Sequence, residues 1–517
     1  MKKLILLLIT ALTIVSCAEE KPVKFIPLTT GSEEAKAAFI EGVFRNDQNE
    51  VNEADAAFKK AIELDEYFLL PRIFLNTGVR SENRERLLYA YENRSKASEI
   101  EQKIIEAAYQ RTIYGDLKES IKIMDDLIKK YSDIPFLYEA VGYQKSFDKD
   151  FDGAIAAWNK ALEINPKSYN AALLLGLLHV NVGTEFMMMD EERRDLKEGE
   201  KWLLIAQDIR PKASASPRFL GNLYRSTYEL EKALDAYKLA VEKNTEKTSQ
   251  LMEQTLMLAH TNAAMGNYEV SRKYYKETID LSINDYWKAN NYNYYTFSLI
   301  FEKKYDEAIK FLSQAQETLK QEVKEEEVLK WGLQRVEFTK WLTFAHSQRK
   351  EETLVSQEKL NLSDKLRYET NLLDAVDDKE KERLERGYKG TLLYRSTWSN
   401  ILFGEYDSAR ESLGLMNDLG TNRLSENPDA LNGYHALSGY LNLMEGNIEQ
   451  SLAMYEKRLE RGDMGEYHKY FYALSLKANG DQEKSKEILV SLANNPFVDW
   501  TIAMVKNLAK AQIQTNI

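Results

Sequence analysis

Cysteine, histidine and proline are scarce here: one, five and nine residues in a chain of 517. The single cysteine, Cys17, excludes an intramolecular disulfide. The histidines, His179, His260, His346, His435 and His468, stand far apart with no metal-ligand neighbour at helical spacing. They read as isolated residues on helix surfaces, and no metal or cofactor is expected. There is no Gly-rich phosphate loop and no HExxH motif. Acidic residues are plentiful, yet nothing singles out a carboxylate pair, so a catalytic reading ranks last. Alternating β-branched runs are absent. The opening apolar run, Leu4 to Val15, is too short for a membrane-spanning helix of roughly 20 residues. Basic residues are outnumbered, 70 against 82, for a net charge of −12. That balance argues against a nucleic-acid partner, whose phosphates need Lys and Arg.

What is present favours helix: abundant Ala, Leu, Glu, Lys and Tyr. The clearest stretch is Tyr138 to Pro166, YEAVGYQKSFDKDFDGAIAAWNKALEINP. Its first half places Tyr138, Val141 and Gly142 on one face, and its second repeats Ala154, Trp158 and Ala161 at i, i+4 and i+7. Pro166 cannot continue the second helix. Small and large residues in this order resemble the tetratricopeptide (TPR) repeat, with its period of about 34 residues. Copies recur at Gly42, Ala54, Phe58 and Ala61, at Gly221, Ala233, Tyr237 and Ala240, and at Tyr305, Ala308, Leu312 and Ala315. Others fall at Gly404, Ala409 and Leu413, at Gly439, Ser451 and Tyr455, and at Ala473, Ser485 and Leu489. Weaker copies pass through Ser120, Gly176 and Ser271. One match is weak, but many in register are not, because a two-helix unit needs stacked neighbours to bury its apolar face. The resemblance implies an all-α solenoid of antiparallel helix pairs in a right-handed superhelix. The array is expected over 33–322, with an insertion near 183–194 that carries Met187, Met188 and Met189, and again over 387–499. Between them, 323–386 reads as degenerate charged helices or a hinge, and 500–517 as a capping helix.

The N-terminus carries a different signal. Lys2 and Lys3 precede the apolar run, which ends in Ile14-Val15-Ser16-Cys17. This resembles the bacterial lipoprotein box, implying a signal peptide over 1–16, lipidation at Cys17 and a tether over 17–32; a plain signal peptide is the alternative. By the same resemblance, the absence of Asp after the cysteine fits outer-membrane sorting in diderm bacteria, and Glu19 and Glu20 resemble the surface-export signals of Bacteroidota lipoproteins.

The resemblance also nominates a binding face, since TPR superhelices usually take peptides on their concave side. First-helix residues one beyond the small position become Tyr109, Tyr143, Asn222, His260, Phe297, Trp398 and Tyr440. Five of these seven are aromatic, a composition suited to peptide or glycan stacking. Arg218, Asn222 and Arg225 lie at i, i+4 and i+7 and resemble a carboxylate clamp; pairing with the protein's own acids is the competing expectation. Asn290 and Asn293 extend the polar lining. The expected function is a non-enzymatic, envelope-anchored scaffold for a protein or peptide partner, with capture of oligosaccharide or peptide nutrients as the alternative.

Overall fold

The computed structural model describes residues 23–180, 189–375, 377–425 and 427–514. Among these residues every regular element is helical, and no helix is long and apolar enough to cross a membrane. Cys17 and the expected lipoprotein box lie outside the described residues, as do Met187 and Met188.

The described residues divide into two compact units. The first comprises 23–47, 52–179 and 189–210; the second comprises 48–51, Val180 and 211–514. In the first, the helices are α1 (Glu33–Asp47), α2 (Val51–Leu64), α3 (Leu70–Phe74), α4 (Arg80–Asn93) and α5 (Glu99–Tyr109). They are followed by α6 (Leu117–Lys130), α7 (Pro135–Phe147), α8 (Phe151–Ile164), α9 (Tyr169–His179) and α10 (Leu196–Ile209). The second holds α11 (Ala215–Ser226), α12 (Leu230–Lys243), α13 (Gln250–Met265), α14 (Tyr268–Asp280) and α15 (Asp285–Phe301). It continues with α16 (Tyr305–Glu322), α17 (Glu326–His346), α18 (Lys350–Asp374), α19 (Asp378–Leu402) and α20 (Tyr406–Thr421). Last come α21 (Asn432–Met444), α22 (Ile448–Leu459), α23 (Glu466–Ala478), α24 (Gln482–Ala493) and α25 (Trp500–Gln514).

Consecutive helices pack as antiparallel pairs, α7 on α8, α11 on α12, α21 on α22 and so on, so the fold is an α-solenoid of TPR-like hairpins. The small-large signature acts through close approach. A Cβ on Gly142 would stand 2.4 Å from the Trp158 ring, and one on Gly221 would stand 2.5 Å from Tyr237. Only a bare backbone lets the large ring of the second helix lie flat against the first. Where serine replaces alanine in the second helix, it bonds across the pair: Ser451 donates to the Gly439 carbonyl at 2.7 Å, and Ser485 to that of Ala473 at 2.7 Å. Buried hydroxyls are thereby satisfied without disturbing the packing.

Helix ends follow local chemistry. Asp116, Asp150, Asp195 and Asp481 cap α6, α8, α10 and α24 through the backbone N–H groups of the first turn. Pro135 opens α7, where no intrahelical N–H is needed. The link between paired helices is itself repeated. A residue at positive φ, such as Lys149 (63°) or Gly446 (80°), precedes an amide that bonds five residues back, Asp150 to Lys145 at 2.9 Å and Asn447 to Asn442 at 2.8 Å. This is the 6→1 bond of a Schellman turn. The same turn joins α17 to α18, with Gln348 at φ 61° and Arg349 bonding Phe344 at 3.0 Å. Over 323–386, where the side-chain signature fades, the backbone therefore still closes a helix pair.

Two features set the second unit apart. Its central helices are long, 21 residues in α17 and 25 each in α18 and α19. The final helix, α25, packs on α23 and α24, and it also reaches α15. Its Asn507 donates to the Phe301 carbonyl at 2.7 Å, and Lys506, fully buried, donates to that of Asn495 at 2.6 Å. Burial draws the Lys506 pKa down to about 7. The segment read as a terminal cap thus also covers earlier repeats of its own unit.

Candidate functional site

Many of the positions expected to line a groove are interior. Arg218 is spent within the protein, its guanidinium 2.7 Å from Glu253, which is the competing expectation stated for that trio. Asn222 is buried and accepts the Tyr237 hydroxyl at 2.6 Å. Arg225, only 5% exposed, sits 5.4 Å from the Phe497 ring centroid in the segment leading to α25. His260 is buried, with Nδ1 2.8 Å from the Tyr275 hydroxyl. Asn293 accepts from Thr339 at 2.8 Å, while the buried side-chain oxygen of Asn290 has no protein partner. Phe297, Trp398 and Tyr440 belong to one aromatic core. Tyr440 lies 4.1 Å from the Phe471 ring. In the first unit Tyr109 stacks on Tyr91 at 3.6 Å, and Tyr143, 40% exposed, meets Phe147 edge to face at 4.9 Å. In the second unit neighbouring helices cover most of these faces, and α25 with the residues before it lies against two of them, Phe497 on Arg225 and Trp500 on Trp398.

The histidine expectation needs correcting. His260 and His468 are buried, and His346 is half-buried inside a closed hydrogen-bond chain. Trp398 Nε1 donates to the Tyr467 hydroxyl at 3.2 Å, which donates to His346 Nε2 at 3.0 Å, and Nδ1 donates to the Leu342 carbonyl at 2.8 Å. With Nδ1 donating to a carbonyl, Nε2 of the neutral imidazole is the acceptor that faces Tyr467. Burial pushes the pKa of His346 and of His468 down to about 4 from 6.5; the nearby Arg458 reinforces it at His468. His260 is also held well below the usual imidazole range, by burial and then by Arg225. A folded pKa below the unfolded one means stability is complete above pH 6.5 and is lost as pH falls towards about 4. We expect the melting temperature to drop steeply across that window. Replacing His346 and His468 with Gln should remove about two protons of uptake from the slope; an unchanged slope would refute the assignment.

Open space in the second unit lies along the long helices. Three adjoining hollows, of about 430, 320 and 250 Å³, form one cleft. The first and second share Phe338, Arg395 and Trp500; the second and third share Arg367; the first and third share Gly387 and Thr391. Its floor is the aromatic core, where Trp398 meets Trp341 at 5.2 Å and Trp500 at 5.5 Å. Gly387 leaves the mouth open, since a Cβ there would meet nothing within 4 Å.

The rim is cationic. Arg335, Arg367, Arg383, Arg395 and Arg423 line it against one acid, Asp364. Asp364 is buried and engages Arg395 at 2.5 Å, Arg367 at 2.9 Å and the Gln334 amide at 2.8 Å. Arg383 reaches Glu380 at 3.3 Å on the outside. Among the described residues Arg335 and Arg423 have no carboxylate within ion-pair distance, and Arg335 lies 4.8 Å from the Trp331 ring centroid. Trp331 stacks in turn on the exposed Tyr286 at 4.4 Å. The arrangement offers guanidinium forks for anions beside flat rings for apolar groups. The sequence reading named Trp398 and Phe297, which line the cleft, but missed the arginines. Trp331, Arg335 and Phe338, at i, i+4 and i+7 in the stretch read as degenerate charged helices or a hinge, were the available signal. Among the described residues no group of three His, Cys, Asp or Glu side chains could hold a metal ion.

No protein-family model and no curated protein matches the chain. Among solved structures, one titled "Structure of Naa15/Naa10 bound to HypK-THB" is similar at 14% identity, over 93% of this chain and 66% of that chain, with a TM-score of 0.28. A likeness that distant transfers nothing about partners. The all-α, TPR-like architecture rests on the helix pairs themselves.

Proposed function

We propose that this protein is a non-catalytic binding scaffold, held to the cell envelope by lipid on Cys17, whose second unit takes an extended acidic segment of a protein partner. The observation that carries the reading is the rim of the cleft: among the described residues Arg335 and Arg423 have no carboxylate within ion-pair distance, on a protein of net charge −12. A cation maintained on an otherwise acidic surface favours anions and disfavours chance self-pairing. The aromatic hollow beside them suits one apolar side chain of the same segment.

Fluorescence anisotropy with labelled peptides alternating Glu with Phe or Trp should show saturable, salt-sensitive binding. Arg335→Gln with Arg423→Gln should weaken it at least tenfold while leaving the melting temperature unchanged. Equal binding by the double variant would sink this site. A saturable response to neutral oligosaccharides, with none to acidic peptides, would favour nutrient capture instead. The anchor is tested separately: metabolic labelling with alkyne-palmitate should mark the chain and be lost in Cys17→Ala.

A further inference from the structure

The face of α18 turned away from the cleft has an order of its own. Asp364 and Leu360 on one side of this helix are buried, and Arg367 lines the cleft. On the opposite side Val355, Leu362, Leu366 and Leu373 are 54%, 59%, 57% and 86% exposed. At 100° per residue these four fall within about 40° of one another, a straight stripe about 27 Å long. Scattered exposed leucines need no explanation, but a continuous line of four does.

The spacing of the stripe is 7, 4 and 7, which reads the same in both directions about residue 364. A two-fold axis through that point would set Val355 level with Leu373 of a second copy and Leu362 level with its Leu366. The same operation brings Lys359, on the edge of the stripe, level with Glu369 of the second copy, and the reverse pair follows by symmetry. Within one chain both are exposed at the surface, Lys359 4.0 Å from Glu337 and Glu369 3.7 Å from Lys365. An isologous interface requires such self-complementarity, and spacing near 3.5 residues is that of helices packed side by side. A different partner would impose no palindrome on this helix. We propose that α18 is a homodimerisation surface: two copies of this chain pack antiparallel through Val355, Leu362, Leu366 and Leu373. The clefts, on the far side of each α18, stay open in the dimer. A stable interface needs on the order of 1,000 Å² in total, which one helix pair barely supplies, so association should depend on concentration. Leu354, 44% exposed, and the half-buried Leu372 widen the stripe on one side.

The geometry gives a sharp test with the full-length chain in intact cells. Val355→Cys and Leu373→Cys chains, expressed together and oxidised, should form a disulfide-linked dimer, whereas either alone should not, because each lies about 27 Å from its own copy. Wild type, with Cys17 as its single cysteine, is the control. Adding Leu362→Glu and Leu366→Glu, both at exposed positions, should cut the yield at least tenfold without changing the melting temperature. Cross-linking of either single variant to itself, adducts to a different protein, or no adduct at all would each overturn the proposal.

Discussion

Trp398→Ala should destabilise the second unit by about 3–5 kcal/mol, the range for emptying a large aromatic site in a packed core. The ring is 2% exposed and sits at the meeting point of Trp341, Tyr394, Tyr467 and Trp500, with centroids 5.0 to 6.0 Å away. Tyr394 shares α19 with it, but the other three come from α17, α23 and α25, so truncation also loosens contacts between helices distant in sequence. Trp398→Phe keeps most of the contact area and loses the indole N–H. Tyr467 then still holds His346 at 3.0 Å, so the loss should be nearer about 1 kcal/mol. Urea unfolding followed by far-ultraviolet circular dichroism checks both. If Trp398→Ala cost less than about 1 kcal/mol, the side chain would not be the keystone described, and its role would revert to ligand contact.

The second large effect concerns a charge. Asp364→Ala should cost about 3–5 kcal/mol, because it strands Arg395, itself 9% exposed at the side chain, without its carboxylate. The Asn361 side chain, 2.5 Å from Arg395, offers a dipole but no charge. The expected asymmetry is diagnostic: Asp364→Leu combined with Arg395→Met should recover most of the loss, since a desolvated pair contributes little net stability over a packed apolar one. The exposed pair Lys381–Asp378, 3.0 Å apart, should by contrast contribute well under about 1 kcal/mol. Double-mutant cycles by chemical denaturation separate these cases. Failure of the apolar pair to rescue would mean that Asp364 acts mainly through Arg367 and Gln334.

The architecture was legible in the residues because its determinants are local. Gly142 opposite Trp158, Gly221 opposite Tyr237 and the prolines and aspartates at helix ends act over fewer than about 34 residues, so their spacing declares the helix pair before any tertiary contact is known. Even the carboxylate pairing of Arg218 could be weighed in advance, since α11 and α13 are neighbours in sequence. The turn from α17 to α18 escaped because the small-large side-chain signature is missing there; its αL residue, Gln348, is no more telling than Lys149 in the pair α7–α8, whose signature declared it.

What the sequence could not reveal is which faces remain open. Periodicity assigns Arg225, His260, Phe297, Trp398 and Tyr440 to first-helix faces, but whether a face meets solvent depends on what returns to cover it. Here α25 comes back to place Asn507 on Phe301, 206 residues earlier in the chain, and Trp500 over Trp398. The same return, with the extra length of α17, α18 and α19, builds the arginine-rimmed cleft and leaves the outer stripe of α18 bare. Amphipathic spacing specifies that a helix has two faces. Only the packing of distant segments decides which becomes core, which becomes a site and which is left for another chain.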